Sequence, residues 1–191
     1  MPSAARKSRK IIVNLATSAD GYIARPDGDI EWLTSHPNPK GMYGMAAFMR
    51  TIDTILYGRK TYDFGVQMGV TFDRKIRHYV FSRQPPPPSV PPGVQFVSEP
   101  VREFARRLRA TKGKDIWMMG GAEIIAAFLD EEAIDEFRMT MIPVLIGEGI
   151  PLVALRHRYV PLRLKAVRSF PDGVVQVHYE VGKRPRPKKR K

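Results

Sequence analysis

Three short stretches of this 191-residue chain put anion-binding chemistry where a strand should turn into a helix. The first is Tyr57-Gly58-Arg59-Lys60-Thr61. Two cations in a first helical turn oppose the helix dipole, at a cost of a few tenths to about 1 kcal/mol, unless an anion sits there. With a phosphate present, free backbone N–H groups, the Thr61 hydroxyl and the Arg59 guanidinium can all bind it. The plain alternative is a solvent-facing Arg-Lys pair at a frayed helix end. The second stretch is Met118-Met119-Gly120-Gly121-Ala122-Glu123. Its glycines allow close backbone approach, so a pyrophosphate would be held by main-chain donors. A tight turn also uses a Gly pair, and Glu123 suits any helix start. The third is Val80-Phe81-Ser82-Arg83, a strand ending in a hydroxyl and a guanidinium fork suited to a phosphate monoester or a base. Along one sheet edge, three such corners fit an extended, multiply phosphorylated ligand such as a dinucleotide. Arg59 and Arg83 suit an extra phosphate, such as the 2′-phosphate of NADPH.

Other chemistries have no foothold. The chain has no cysteine, which excludes a disulfide framework, a thiolate metal site and a cysteine nucleophile. No Gly-x-Gly-x-x-Gly, P-loop, His-Glu-x-x-His or Gly-x-Ser-x-Gly pattern occurs. The four histidines, His36, His78, His157 and His178, show no metal-ligand spacing and read as surface or packing residues.

The elements that must hold these corners can be read from periodicity. Apolar runs at 10–17, 53–58, 77–83, 94–97 and 115–121, and the beginning of 133–149, read as strands. Residues 18–30, with two Asp-Gly pairs and a Pro, read as a long loop, and 84–95, rich in proline, as a surface connector. Helices are expected at 42–50, weakened by Gly44, at 59–67, at 99–113 and at 122–132. In 99–113, Val101, Phe104, Ala105 and Leu108 fall on one stripe. Residues 162–181 form two alternating strands around Pro171-Asp172-Gly173, a β-hairpin. Strands alternating with helices predict an α/β fold, three layers deep, with a mainly parallel sheet covered on both faces and a closing antiparallel hairpin. Ligands then sit beyond the carboxyl ends of the strands.

The net charge of +13 suggests a nucleic-acid binder until it is located. Four cations within residues 1–10 and seven within 183–191, with no acids among them, leave residues 11–182 at about +2. A body so nearly neutral offers no broad footprint for nucleic acid. The expected organisation is a disordered basic arm at 1–9, one domain at 10–182 and a disordered basic tail at 183–191, the ends holding polyanions weakly at most. A single domain of this size buries nearly 70% of its unfolded surface. No apolar run approaches the roughly 20 residues of a membrane span, and no apolar segment follows the basic start as a secretory signal requires. A cytoplasmic protein is expected.

The most specific pieces are TSADGYIA (17–24), DIEWLTS (29–35), LYGRKTYD (56–63), YVFSR (79–83), IWMMGGAEIIAAFL (116–129) and IDEFRMTMIPVLIGEG (134–149). In this order and spacing the chain resembles the dihydrofolate reductase-like superfamily, in particular bacterial members akin to the reductase domain of the bifunctional riboflavin-biosynthesis deaminase/reductase. The likeness covers nearly all of 10–181. It implies a central, mostly parallel eight-stranded sheet and NADPH as hydride donor. By position, it implies that Ala16 and Ile23 meet the nicotinamide carboxamide. Gly58, Arg59, Lys60 and Thr61 would meet the phosphates, with Arg59 at the 2′-phosphate. Ser82 and Arg83 would flank the adenosine. Gly120, Gly121, Ala122, Glu123 and Ile124 would line the pyrophosphate. True dihydrofolate reductases carry a carboxylate on the helix before the GRxT corner. Here 41–49 has no acid, which argues against folate reduction.

The resemblance points instead to reduction of a ribosylamino-pyrimidine, as by 5-amino-6-(5-phosphoribosylamino)uracil reductase. Trp32, Ser35 and Phe48 would lie near that substrate, between the 18–35 loop and the 42–50 helix. Asp20 is the candidate catalytic acid, with water as the other proton source, and Asp20-Gly21 is equally a turn pair. Trp32 could pack or serve as a platform. Gly21 and Gly28 suit a mobile lid. Two other classes stay open: a reductase fold kept as a ligand- or nucleic-acid-associated binding protein, and self-association through the closing hairpin, with a homodimer expected.

Overall fold

The computed structural model describes residues 8–37 and 42–183. The expected basic arm and tail fall mostly on 1–7 and 184–191, outside the described residues. Arg9 is the exception. Its sequence places it in the arm, but it is 4% exposed and belongs to the body.

Eight strands form one sheet: β1 (Ile11–Ser18), β3 (Ile52–Gly58), β4 (Arg77–Phe81), β5 (Val94–Val97), β6 (Asp115–Gly120), β7 (Glu136–Ile142), β9 (Leu162–Ser169) and β10 (Val175–Val181). Their order is β5-β4-β3-β6-β1-β7-β10-β9. Every pairing from β5 to β7 is parallel, and β10 runs antiparallel to both β7 and β9. The closing hairpin turns at Gly173, whose φ of 86° suits glycine.

Helices α4 (Val101–Ala110) and α5 (Ala122–Asp130) cover one face. The α4 stripe buries Phe104, Ala105 and Leu108 against Ile11, Val13, Leu56 and Met118. Helices α2 (Met45–Met49) and α3 (Arg59–Gln67) cover the other, through Phe48 and Tyr62 packed on Ile12, Ile55, Val80 and Trp117. Alternate β1 residues thus feed two different cores, as a sheet buried on both faces requires.

Three features depart from the sequence reading. The 18–30 loop contains β2 (Tyr22–Ala24), paired with β8 (Ile150–Pro151), and is followed by a one-turn helix α1 (Glu31–Thr34). Strands of three and two residues show no periodicity. The 42–50 helix is divided: Met42–Gly44 is a 3-10 turn, and only Met45–Met49 is α-helical. Met42, Tyr43 and Gly44 have φ of 45°, 53° and 90°, a left-handed run that two non-glycine residues rarely adopt. Finally, β9 is exposed throughout rather than alternately buried, because it is the sheet edge.

Candidate active site

The two Gly-bearing corners are one structure. β3 ends at Gly58 and β6 at Gly120, on neighbouring strands. A Cβ on Gly58 would stand 3.3 Å from the Ile124 side chain and 3.4 Å from the Gly121 nitrogen. Helices α3 and α5 therefore start side by side. Their N-caps, Gly58 and Gly121, offer no side-chain cap, so the first-turn amides keep unfilled donor capacity on one sheet edge. The Gly120–Gly121 peptide is cis. Ala122 and Ile124 are buried, whereas the exposed Glu123 carboxylate pairs with Arg156 at 2.9 Å and leaves this corner to main-chain donors.

The third corner joins through Arg59. Its Nε donates to both Asp63 carboxylate oxygens at 2.8–2.9 Å, and its Nη1 donates to Pro85 O at 3.1 Å in the connector after β4. The guanidinium also lies 5.5 Å over the Phe96 ring. Lys60 is exposed and Thr61 half-buried. Ser82 Oγ donates to Gln84 O and accepts from Gln84 N, closing its own turn. Arg83 is exposed and has no protein hydrogen bond among the described residues.

The expected substrate residues Trp32, Phe48 and Ser35 have different surroundings. Trp32 is buried with Ile142 and Val174, and its indole N–H has no partner among the described residues. Phe48 belongs to a different cluster, edge-on to Trp117 at 5.6 Å. Ser35 is exposed and donates back to Glu31 O. Ala16, half-buried on β1, and Ile23, half-buried on β2, flank the base of the 18–24 loop.

Asp20 is engaged in structure. Its carboxylate accepts from Ile146 N and, at 2.8 Å, from Gly147 N. The Ser18 hydroxyl and these amides hold its carboxyl below the usual carboxylate range. An ionised acceptor fixed in this way pins a turn and is poorly suited to give up a proton near neutral pH. The first half of the expected lid is tied down as well: Ala19 N donates to Val144 O at 2.8 Å and Leu152 N to Gly21 O at 3.1 Å.

Sequence reasoning missed a row of polar side chains on the face covered by α2. Asn14 on β1 is 8% exposed, and Arg138 lies opposite it on β7. One step further along, Thr140 stands beside Ala16 and is bonded by Gln176 of β10, which also donates to Tyr43 O at 2.8 Å. Polar residues at alternate positions of otherwise apolar strands were the available sequence clue. Glu136 completes the row: Lys10, Arg138 and His178 all bond it, and although burial opposes its charge these partners hold its pKa at about 2. Among the described residues no group of acids and histidines is arranged to hold a metal ion, and no helix is long and apolar enough to cross a membrane.

A six-strand parallel array ending in an antiparallel hairpin, with two glycine corners fused at its carboxyl edge, defines the dihydrofolate reductase-like class. Within it, the chain belongs to the RibD C-terminal domain family, which it matches over residues 9–176. It is 40% identical over 172 residues to the uncharacterized protein YwjB of Bacillus subtilis strain 168, covering 90% of this chain and 97% of YwjB. A crystal structure from Shewanella sp. PV-4, provisionally named a riboflavin biosynthesis protein, superposes with a TM-score of 0.80 at 29% identity, covering 91% of this chain and 99% of that one. Dihydrofolate reductase from Enterococcus faecalis, solved with NADP(H), superposes at 0.59 with 16% identity, over 90% and 94% of the two chains. At that identity the likeness is one of fold. The architecture is that of a riboflavin-pathway-type reductase.

Proposed function

We propose that this protein is an NADPH-dependent oxidoreductase that transfers a hydride to a small heterocyclic substrate, most like 5-amino-6-(5-phosphoribosylamino)uracil. The observation that carries this reading is the contact between Gly58 and Gly121, which sets two uncapped helix starts shoulder to shoulder. A side chain at either glycine would crowd its neighbour, Ile124 at 3.3 Å or Thr61 at 3.1 Å, and without one the corner serves as a main-chain cradle for a pyrophosphate. Thr61 and the backbone of 120–124 hold the phosphates. Arg59, on release from Asp63, takes the 2′-phosphate, and Ser82 and Arg83 flank the adenosine. Ala16 and Ile23 meet the nicotinamide end. When bound, the coenzyme supplies the hydride. The protein places the substrate beneath α2, and with Asp20 ionised the completing proton comes from water.

Calorimetric titration with NADPH tests the cradle, and a screen of NADPH oxidation against riboflavin-pathway pyrimidines, dihydrofolate and small ketones tests the chemistry. Binding together with turnover of a pyrimidine is expected. No heat with folded protein would overturn the reading. The functional unit in this reading is a homodimer formed through β9, whose Leu164 and Val167 are each 54% exposed on an unpaired edge. Sedimentation showing only monomer at micromolar concentration would exclude that.

A further inference from the structure

The face beneath α2 carries a cation that the proposed coenzyme contacts do not use. Arg138 sits on β7, in register with Asn14 of β1 on one side and His178 of β10 on the other. Its guanidinium lies 5.3 Å over the Phe48 ring of α2. One nitrogen donates to Glu136 at 3.1 Å; Nε is buried with no partner, and Nη1 has no protein hydrogen bond among the described residues. A guanidinium carries five donors, so most of its bonding capacity is unspent. The side chain is 35% exposed and can be reached. Beside it Asn14, 8% exposed, has one side-chain hydrogen bond among the described residues, a long one from Nδ2 to the Met45 sulfur at 3.9 Å.

A buried donor without a partner costs stability, and a ligand that accepts from it removes that cost. The neighbouring acid does not invert the charge, because Glu136 is shared among Lys10, Arg138 and His178. The roof is fixed. Gln176 holds the Tyr43 carbonyl and Asp172 accepts from the Tyr43 hydroxyl, so the left-handed turn of Met42 and Tyr43 keeps α2 over Arg138.

We propose that Arg138, backed by Asn14, reads the charge of the substrate, donating to the carbonyl-rich edge of a neutral or anionic heterocycle and rejecting protonated ones. This rests on the reductase reading only in taking the space beneath α2 as the substrate's. Two pyrimidines differing in charge test it: barbiturate, an anion with three carbonyl acceptors, and a 2,4-diaminopyrimidine, protonated at mildly acidic pH. Each is titrated calorimetrically with and without NADP+. Barbiturate binds at least tenfold tighter than the diaminopyrimidine. Arg138→Met lowers barbiturate affinity tenfold or more, Arg138→Lys retains most of it, and Arg138→Glu reverses the preference. Unchanged NADP+ affinity in each variant shows an intact fold. Equal or tighter binding of the diaminopyrimidine, no binding of barbiturate, or an unaltered barbiturate affinity in Arg138→Met overturns the proposal. If NADP+ fails to bind while barbiturate still depends on Arg138, the reductase reading falls and the charge reading stands.

Discussion

Gly121 faces Thr61 so closely that a methyl group on its Cα would stand 3.1 Å from the Thr61 hydroxyl oxygen. Two corners 60 residues apart in sequence share one van der Waals boundary there. Gly121→Ala must push Thr61 aside. Overpacking of this kind costs about 1–3 kcal/mol. NADPH affinity is expected to fall at least tenfold, about 1.4 kcal/mol, with the protein still folded. Calorimetry alongside a thermal melt checks this, and an unchanged affinity would remove Gly121 from the cradle.

Arg59 divides its guanidinium between Asp63 and Pro85 O. Arg59→Ala removes charge-assisted bonds worth about 1.5–3 kcal/mol, so NADPH affinity should drop roughly ten- to a hundredfold while NADH affinity hardly changes. Asp63→Asn frees the guanidinium and should strengthen NADPH binding at low salt. Parallel titrations with both coenzymes decide; equal losses would show that Arg59 does not read the 2′-phosphate.

Arg9 reaches Asp53, Thr54, Thr111 and the Leu108 and Lys114 carbonyls, tying the chain's start to the sheet and to the end of α4. Arg9→Met leaves several of these acceptors without a donor. Breaking a buried pair typically costs about 3–5 kcal/mol; Arg77 still serves Asp53, so a loss of about 3 kcal/mol is expected in urea unfolding. A loss under about 0.5 kcal/mol, as for an exposed pair, would contradict the burial.

In the folded protein Lys10, Arg138 and His178 hold the Glu136 carboxyl at about 2, below the usual glutamate range. A carboxyl depressed on folding stabilises above its unfolded pKa, and that stability disappears as pH falls through the folded value. Stability should therefore decline between about pH 4.5 and 2, with a contribution from this group of up to about 3 kcal/mol. Glu136→Gln should flatten that part of the profile. Urea midpoints measured across the window test it, and identical slopes for both proteins would exclude Glu136 as the source.

What the sequence reveals depends on the range of the interaction. The stripe of Phe104, Ala105 and Leu108 is legible because helical spacing alone selects it, and the corners at Gly58 and Gly120 because glycine lets a helix begin directly off a strand. The pairing of Tyr22–Ala24 with Ile150–Pro151 is not, because two very short strands far apart in sequence carry no pattern of their own. Arg9 reads as one more cation in a basic arm, since only the folded body supplies its five acceptors. Arg138 and Asn14 read as isolated polar residues until strand register sets them side by side. Trp32 and Phe48 are both expected near the substrate from sequence, but packing sends them to separate clusters.

The small β2–β8 sheet is also joined to the glycine corner at the start of α5. Beyond Pro151, Ala154 N donates to the carbonyl of Ala122, the first residue of α5. Gly149 lies so close to the Ala24 carbonyl that only a residue without a side chain fits, leaving the two segments no slack. The β2–β8 sheet and the first turn of α5 are thus mechanically in series, and a displacement of the one is transmitted to the other.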